Sequence, residues 1–100
     1  MNMQQMMIQA QKMQRELQKA KDALYEKEFK TNKAGLVEII VLGSKEIKSI
    51  NIEADGFEPE NKEMVEELIV SGINELFEQI DKEFEEIEER ITGKSGIIGF

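Results

Sequence analysis

An α+β protomer, ordered α-β-β-β-α around a three-stranded antiparallel meander with two long helices, is the fold this 100-residue sequence predicts. Three observations predict it. Apolar residues recur at alternating three- and four-residue intervals near the start and again over the last third, the pattern of two long helices. Between them the period shortens to alternating, β-branched runs. The segments joining those runs are too short for a crossover, so neighbouring strands are antiparallel.

The first helix is carried by Met3, Met6, Ala10, Met13, Leu17, Ala20 and Leu24. This seam of coiled-coil type has no Gly or Pro to interrupt it, and it predicts a helix over about residues 3–25. Tyr25, Lys27, Phe29 and Thr31 then alternate with Glu26, Glu28 and Lys30, as in an edge strand. After the turn "NKAGL", the run "LVEIIVL" (36–42) is apolar on both faces and reads as the central strand. "GSKE" is a short turn, and "IKSINIE" (47–53) puts Ile50 and Ile52 on one face. "ADGFEPEN" is a loop with the only Pro, and Asn61 is placed to cap a second helix over 61 to about 91. The apolar stripe of that helix is wide from Met64 to Phe77 and narrows to Ile80, Phe84, Ile87 and Ile91. Gly72 within it marks a close approach to the sheet. The ending "TGKSGIIGF" has no periodicity, so residues 1–92 form a single domain and 93–100 a flexible C-terminal tail.

Lengths add a constraint. Helices of about 35 and 45 Å cannot be covered by strands of about 23 Å. The overhanging seam of Met13, Leu17, Leu24, Ile80, Phe84 and Ile87 therefore calls for apolar cover, which predicts a two-fold homodimer with projecting helical arms.

Composition excludes much chemistry. With no Cys and no His, neither a disulfide, a thiolate or imidazole metal site, nor a His proton shuttle can form. No nucleophile–base pair stands out, and "GKSG" lacks the spacing of a phosphate-binding loop. The expectation is a protein without enzymatic activity, cofactor, metal or small-molecule substrate. The longest unbroken apolar run, Ile39–Leu42, is too short for a membrane, and the Met-rich start is not a secretory signal, so a cytoplasmic protein is expected.

The net charge of −8 is unevenly spread. Residues 1–30 carry +2, residues 31–56 carry −1 and residues 57–100 carry −9. An anion site must therefore be local. Lys12, Arg15 and Lys19 form a line on the first helix, offset from its seam, with Gln4, Gln5, Gln11 and Gln18 as neutral donors nearby. Such a stripe is either a solvated face or a set of phosphate contacts. As the latter it predicts DNA as partner, with Lys21 and Lys27 extending it. The acidic run "DKEFEEIEER" reads as a solvated face, because carboxylate metal sites on helices also use His.

The succession "KMQRELQKAKDAL", "EKEFKTN", "AGLVEIIVLGSKEIKSINIE" and "NKEMVEELIVSGINEL" resembles the YbaB/EbfC family of bacterial nucleoid-associated proteins, over residues 5 to about 93. Its more specific parts are "GLVEIIVLG" with "IKSINI", and "KEMVEELIVSGIN". The resemblance implies a two-fold dimer with protruding helices that binds duplex DNA and influences nucleoid organisation and gene expression. The family's genes often lie beside those of a clamp-loader subunit and a recombination mediator, which implies replication or recombination proteins as further partners. The chain departs from the family at Ala34, where a second Gly is common, and in its Glu-rich rather than Lys-rich last helix. The first helix would then carry the DNA contacts. The competing reading is a dimeric protein-interaction module whose acidic helical arms dock on basic partners, with little DNA binding.

Overall fold

The computed structural model describes residues 2–93. In chain order it holds α1 (Met3–Glu26), β1 (Glu28–Lys33), β2 (Val37–Leu42), β3 (Ile47–Ile52) and α2 (Lys62–Thr92). The strands form one antiparallel sheet in the order β1-β2-β3, as the short connections require. The tail expected over 93–100 lies, from residue 94 on, outside the described residues.

Asn2 caps α1, its Oδ1 accepting from the Gln5 amide at 2.8 Å. The helix runs to Glu26, so Tyr25 and Glu26 belong to it and not to the edge strand that alternation suggested. Tyr25 packs on Phe84, ring centroids 5.2 Å apart, and that aromatic contact draws the last helical turn onward.

Ala34 and Gly35 both take positive φ, 57° and 68°, and the Leu36 amide donates to Lys33 O at 3.0 Å. This is a mirror-image turn of the kind that matches the twist of a hairpin. The β2–β3 turn does more than reverse the chain. Gly43 N donates to Lys27 O at 2.9 Å and Ser44 N to Tyr25 O at 3.1 Å, tying the turn to the junction of α1 and β1. A Cβ on Gly43 would lie 1.7 Å from the Leu24 carbonyl oxygen, so only glycine permits this approach.

Strand β3 carries a bulge. Ser49 pairs with Ile40 but Ile47 with Val41, leaving Lys48 as the extra residue. The shift brings Ile47 to the face that Ile50 and Ile52 share, and Lys48 pairs with Glu28. The loop before α2 is two 3-10 turns, Ala54–Phe57 and Pro59–Asn61. Asn61 takes the N-cap position of α2, as expected, but its side chain makes no capping bond: its Nδ2 donates to Asp55 O at 2.9 Å.

Phe29, Val37, Ile39 and Val41 from the sheet meet Val65, Leu76 and Ile80 of α2 in the core. Gly72 lets α2 settle on the sheet, since a Cβ there would be 2.6 Å from Ile39 Cδ1. The first half of α2 lies over β1 and β2, and its second half packs on α1. The result is elongated, 69 × 23 × 14 Å with a radius of gyration of 19.5 Å. A compact chain of this length would have a radius of gyration of about 13 Å.

Two substitutions test the turns in opposite directions. Gly43→Ala should lose about 3 kcal/mol or more, because backbone cannot move aside as a side-chain tip can. Ala34→Gly should gain about 1 kcal/mol by relieving the positive φ of a residue with a Cβ. Urea unfolding of both variants measures the two signs.

Candidate nucleic-acid interface

α1 and the second half of α2 run antiparallel, with Tyr25 at Phe84 and Lys21 at Glu88. Of the seam residues, Leu24, Ile80 and Ile87 are buried in the core cluster, and Leu17 and Phe84 are half-buried against it. Met13 is half-buried and lines a shallow groove with Ile8, Lys12 and Ile91. The partner of this seam is thus the chain's own second helix. Farther toward its start, α1 continues past the level of Ile91 with exposed side chains.

The ion pairs sort the cations. Along α2, Glu75 holds Lys33, Asp81 holds Lys45 and Glu83 holds Lys27, each at 2.7 Å, while Glu88 holds Lys21 at 3.6 Å. On the outer face of the sheet Lys30 pairs with Glu38 at 3.3 Å and Lys48 with Glu28. Lys62 lies 3.9 Å from Glu66, one turn along α2. Such exposed pairs each stabilise the fold by about 1 kcal/mol at most. Their larger consequence is that these lysines already have anions beside them.

Lys12, Arg15 and Lys19 differ. Each is exposed, and among the described residues none forms an ion pair. Helical spacing puts the three on a face offset from the seam, over about 10 Å of axis, with Lys12 at its edge beside the groove of Met13 and Ile91. Of the nearby acids, Asp22 accepts from Gln18 Nε2 at 2.8 Å, and Glu16 is exposed without a salt bridge among the described residues. Gln11, Gln14, Arg15 and Gln18 line one shallow groove, adding Gln14 to the donors named from sequence.

Lys21 lines the same groove as Arg15 but is paired with Glu88, and Lys27 stands apart from the stripe. Lys21 faces α2, and Lys27 lies beyond the helix end, 5.1 Å from the Phe29 ring centroid as well as against Glu83. Sequence reasoning passed over Lys82 and Arg90, which also lack an ion pair among the described residues. The acidic run around them hid the signal. Glu78, Glu85, Glu86 and Glu89 are exposed there without a salt bridge among the described residues. No group of three metal-ligating side chains with metal-site geometry occurs among the described residues.

A sequence model of the YbaB/EbfC DNA-binding family matches residues 1–95. A nucleoid-associated protein of Mycoplasmopsis pulmonis is 39% identical over 95 residues, 94% of each chain. One from Clostridium novyi is 40% identical over 94 residues, covering 93% of this chain and 82% of its own. One from Enterococcus faecalis is 41% identical over 87 residues, covering 84% of this chain and 82% of its own.

The seam geometry makes a prediction of its own. Leu17→Asp sets a carboxylate against the apolar flank of α2 and should cost about 2 kcal/mol, lowering the melting temperature by about 8 °C or more. An unchanged melting curve would mean that α1 is not held through this seam.

Proposed function

The chain belongs to the YbaB/EbfC DNA-binding family, and on that premise we propose that it is a homodimeric, non-enzymatic protein of the bacterial nucleoid that binds duplex DNA and influences nucleoid organisation and gene expression. The observation that carries this reading is the row of Lys12, Arg15 and Lys19, exposed and without an ion pair among the described residues. Phosphate is the anion that fits such a row, because Lys and Arg heads on one helix face can track a strand without reading bases. Gln11, Gln14 and Gln18 beside them can donate to phosphate or to base edges. Lys21 and Lys27 contribute less in this reading, since DNA would have to compete with Glu88 and Glu83 for them. Replication or recombination proteins belong to the same reading as partners at the nucleoid.

The homodimer is supported by the β3 side of the sheet. α2 covers β1 and β2, and leaves Ile47 and Ile50 exposed on the inner face. Phe57, 72% exposed, stands on the same side of the molecule, in a groove floored by Ile52, Val65 and Ile69. A second copy related by a two-fold axis would cover this surface and an open strand edge together. The acidic interaction module is the second reading, supported by the exposed Glu78, Glu85, Glu86 and Glu89.

At micromolar concentration the parent should sediment as two chains and Ile50→Glu as one, with unchanged helicity. A parent that sediments as one chain rules the dimer out. Duplex binding should be fast and strongly salt-dependent. With the three cations of the stripe from each chain, the slope of log K against log salt should be no steeper than about −5, at roughly −0.9 per phosphate. Changing Lys12, Arg15 and Lys19 together to Gln should abolish binding near physiological salt and leave the fold intact. If the triple variant binds as the parent does, the stripe is a solvated face. If the parent itself binds negligibly, the interaction module takes first place.

A further inference from the structure

α1 outlasts the helix that covers it. Ile91, in the last turn of α2, shares a groove with Gln9 and Met13, and α2 ends at Thr92, whereas α1 continues back to Met3. On this overhang Met3, Met6 and Met7 are exposed, at 77%, 56% and 58%. At 3.6 residues per turn they fall with Ala10 within about 100° of arc, so they form one apolar face. Met3, Met6 and Ala10 also continue the spacing of Met13, Leu17 and Leu24, the seam that α2 covers lower down. The cover stops before the apolar seam does.

What borders that face selects its occupant. No side chain of residues 2–11 is charged, in a chain that is 34% charged. Gln9 flanks the face on one side, and Gln4 and Gln11 on the other. A primary amide both donates and accepts, so a glutamine border can pair with another glutamine border. A partner helix with charged borders would find no counter-ion there and would have its own charges desolvated. A second copy of the same tip matches this one in width, polarity and charge. Overlap of the two tips alone, with the arms pointing apart, also keeps chains of net charge −8 away from each other. Burying the three methionines on both copies removes roughly 800 Å² from water, the size of a weak and reversible contact.

We infer that the methionine tip of α1 is a homotypic docking surface, on which the tip of a second copy lies antiparallel, joining arms end to end. The contact takes the seam side and leaves Lys12, Arg15 and Lys19 uncovered. It depends neither on DNA as the partner of those cations nor on a dimer through the β3 side of the sheet.

Sedimentation equilibrium of the full chain from about 10 μM to about 1 mM, in about 0.5 M salt to screen repulsion between arms, reads this contact. The weight-average mass should rise at least about twofold above its low-concentration value, be that value one chain or two. A variant with both Met6→Glu and Met7→Glu should hold its low-concentration mass throughout. Both positions are exposed and near the start of α1, where Glu favours the helix, so the variant folds. A parent mass that stays constant overturns the inference, and so does a variant that associates as the parent does. In the parent, the methyl signals of Met3, Met6 and Met7 should move with concentration while that of Met64, in α2, stays in place. Fixed signals at all three while the mass rises put the association elsewhere and overturn the inference independently.

Discussion

The approach of Gly43 to the Leu24 carbonyl is the constraint on which the arm depends. Two amides of the β2–β3 turn, Gly43 and Ser44, are donated to Lys27 and Tyr25, fixing where α1 ends and β1 begins. That junction sets the direction in which α1 runs back along α2. Once it is set, Tyr25 meets Phe84, Leu24 closes the core, and the seam above them falls into register. A methyl group at residue 43 would displace backbone rather than a side chain, so the arm's geometry rests on one hydrogen atom.

Charge is arranged around the same frame. The acidity of α2 is partly structural, since Glu75, Asp81, Glu83 and Glu88 each hold a lysine from the sheet, its turns or α1. Seven lysines pair with a carboxylate among the described residues, four of them in this way, in a chain that totals 13 Lys and Arg. What the stripe on α1 has is freedom rather than number. Lys12, Arg15 and Lys19 form no ion pair with α2 among the described residues, and Glu78, Glu85, Glu86 and Glu89 of α2 form none with α1.

Periodicity was enough to read both helices, the meander and the role of Gly72, because each is set by spacing along the chain. Other features were not legible, for physical reasons. Tyr25 alternates correctly for a strand but is claimed by an aromatic contact with Phe84, 59 residues away. Ile47 joins the face of Ile50 only through a bulge at Lys48, which alternation cannot anticipate. Asn61 does take the cap position, but the 3-10 turns before it draw its side chain to Asp55 O instead of to the helix amides. In the candidate site, the line of Lys12, Arg15 and Lys19 could be drawn from helical spacing alone. Which lysines are already occupied could not, because Lys27 finds Glu83 across 56 residues. The same long-range pairing decides what covers the helical seam, which closes first within one chain.

The two helices differ in net charge, +1 over α1 and −8 over α2, which gives the arm a transverse electric moment. Near a polyanion such a rod experiences a torque about its own long axis before any contact forms. The elongation to 69 Å makes that axis well defined. Roll would then be selected during approach, without base recognition, so that encounters in which α2 leads are turned aside.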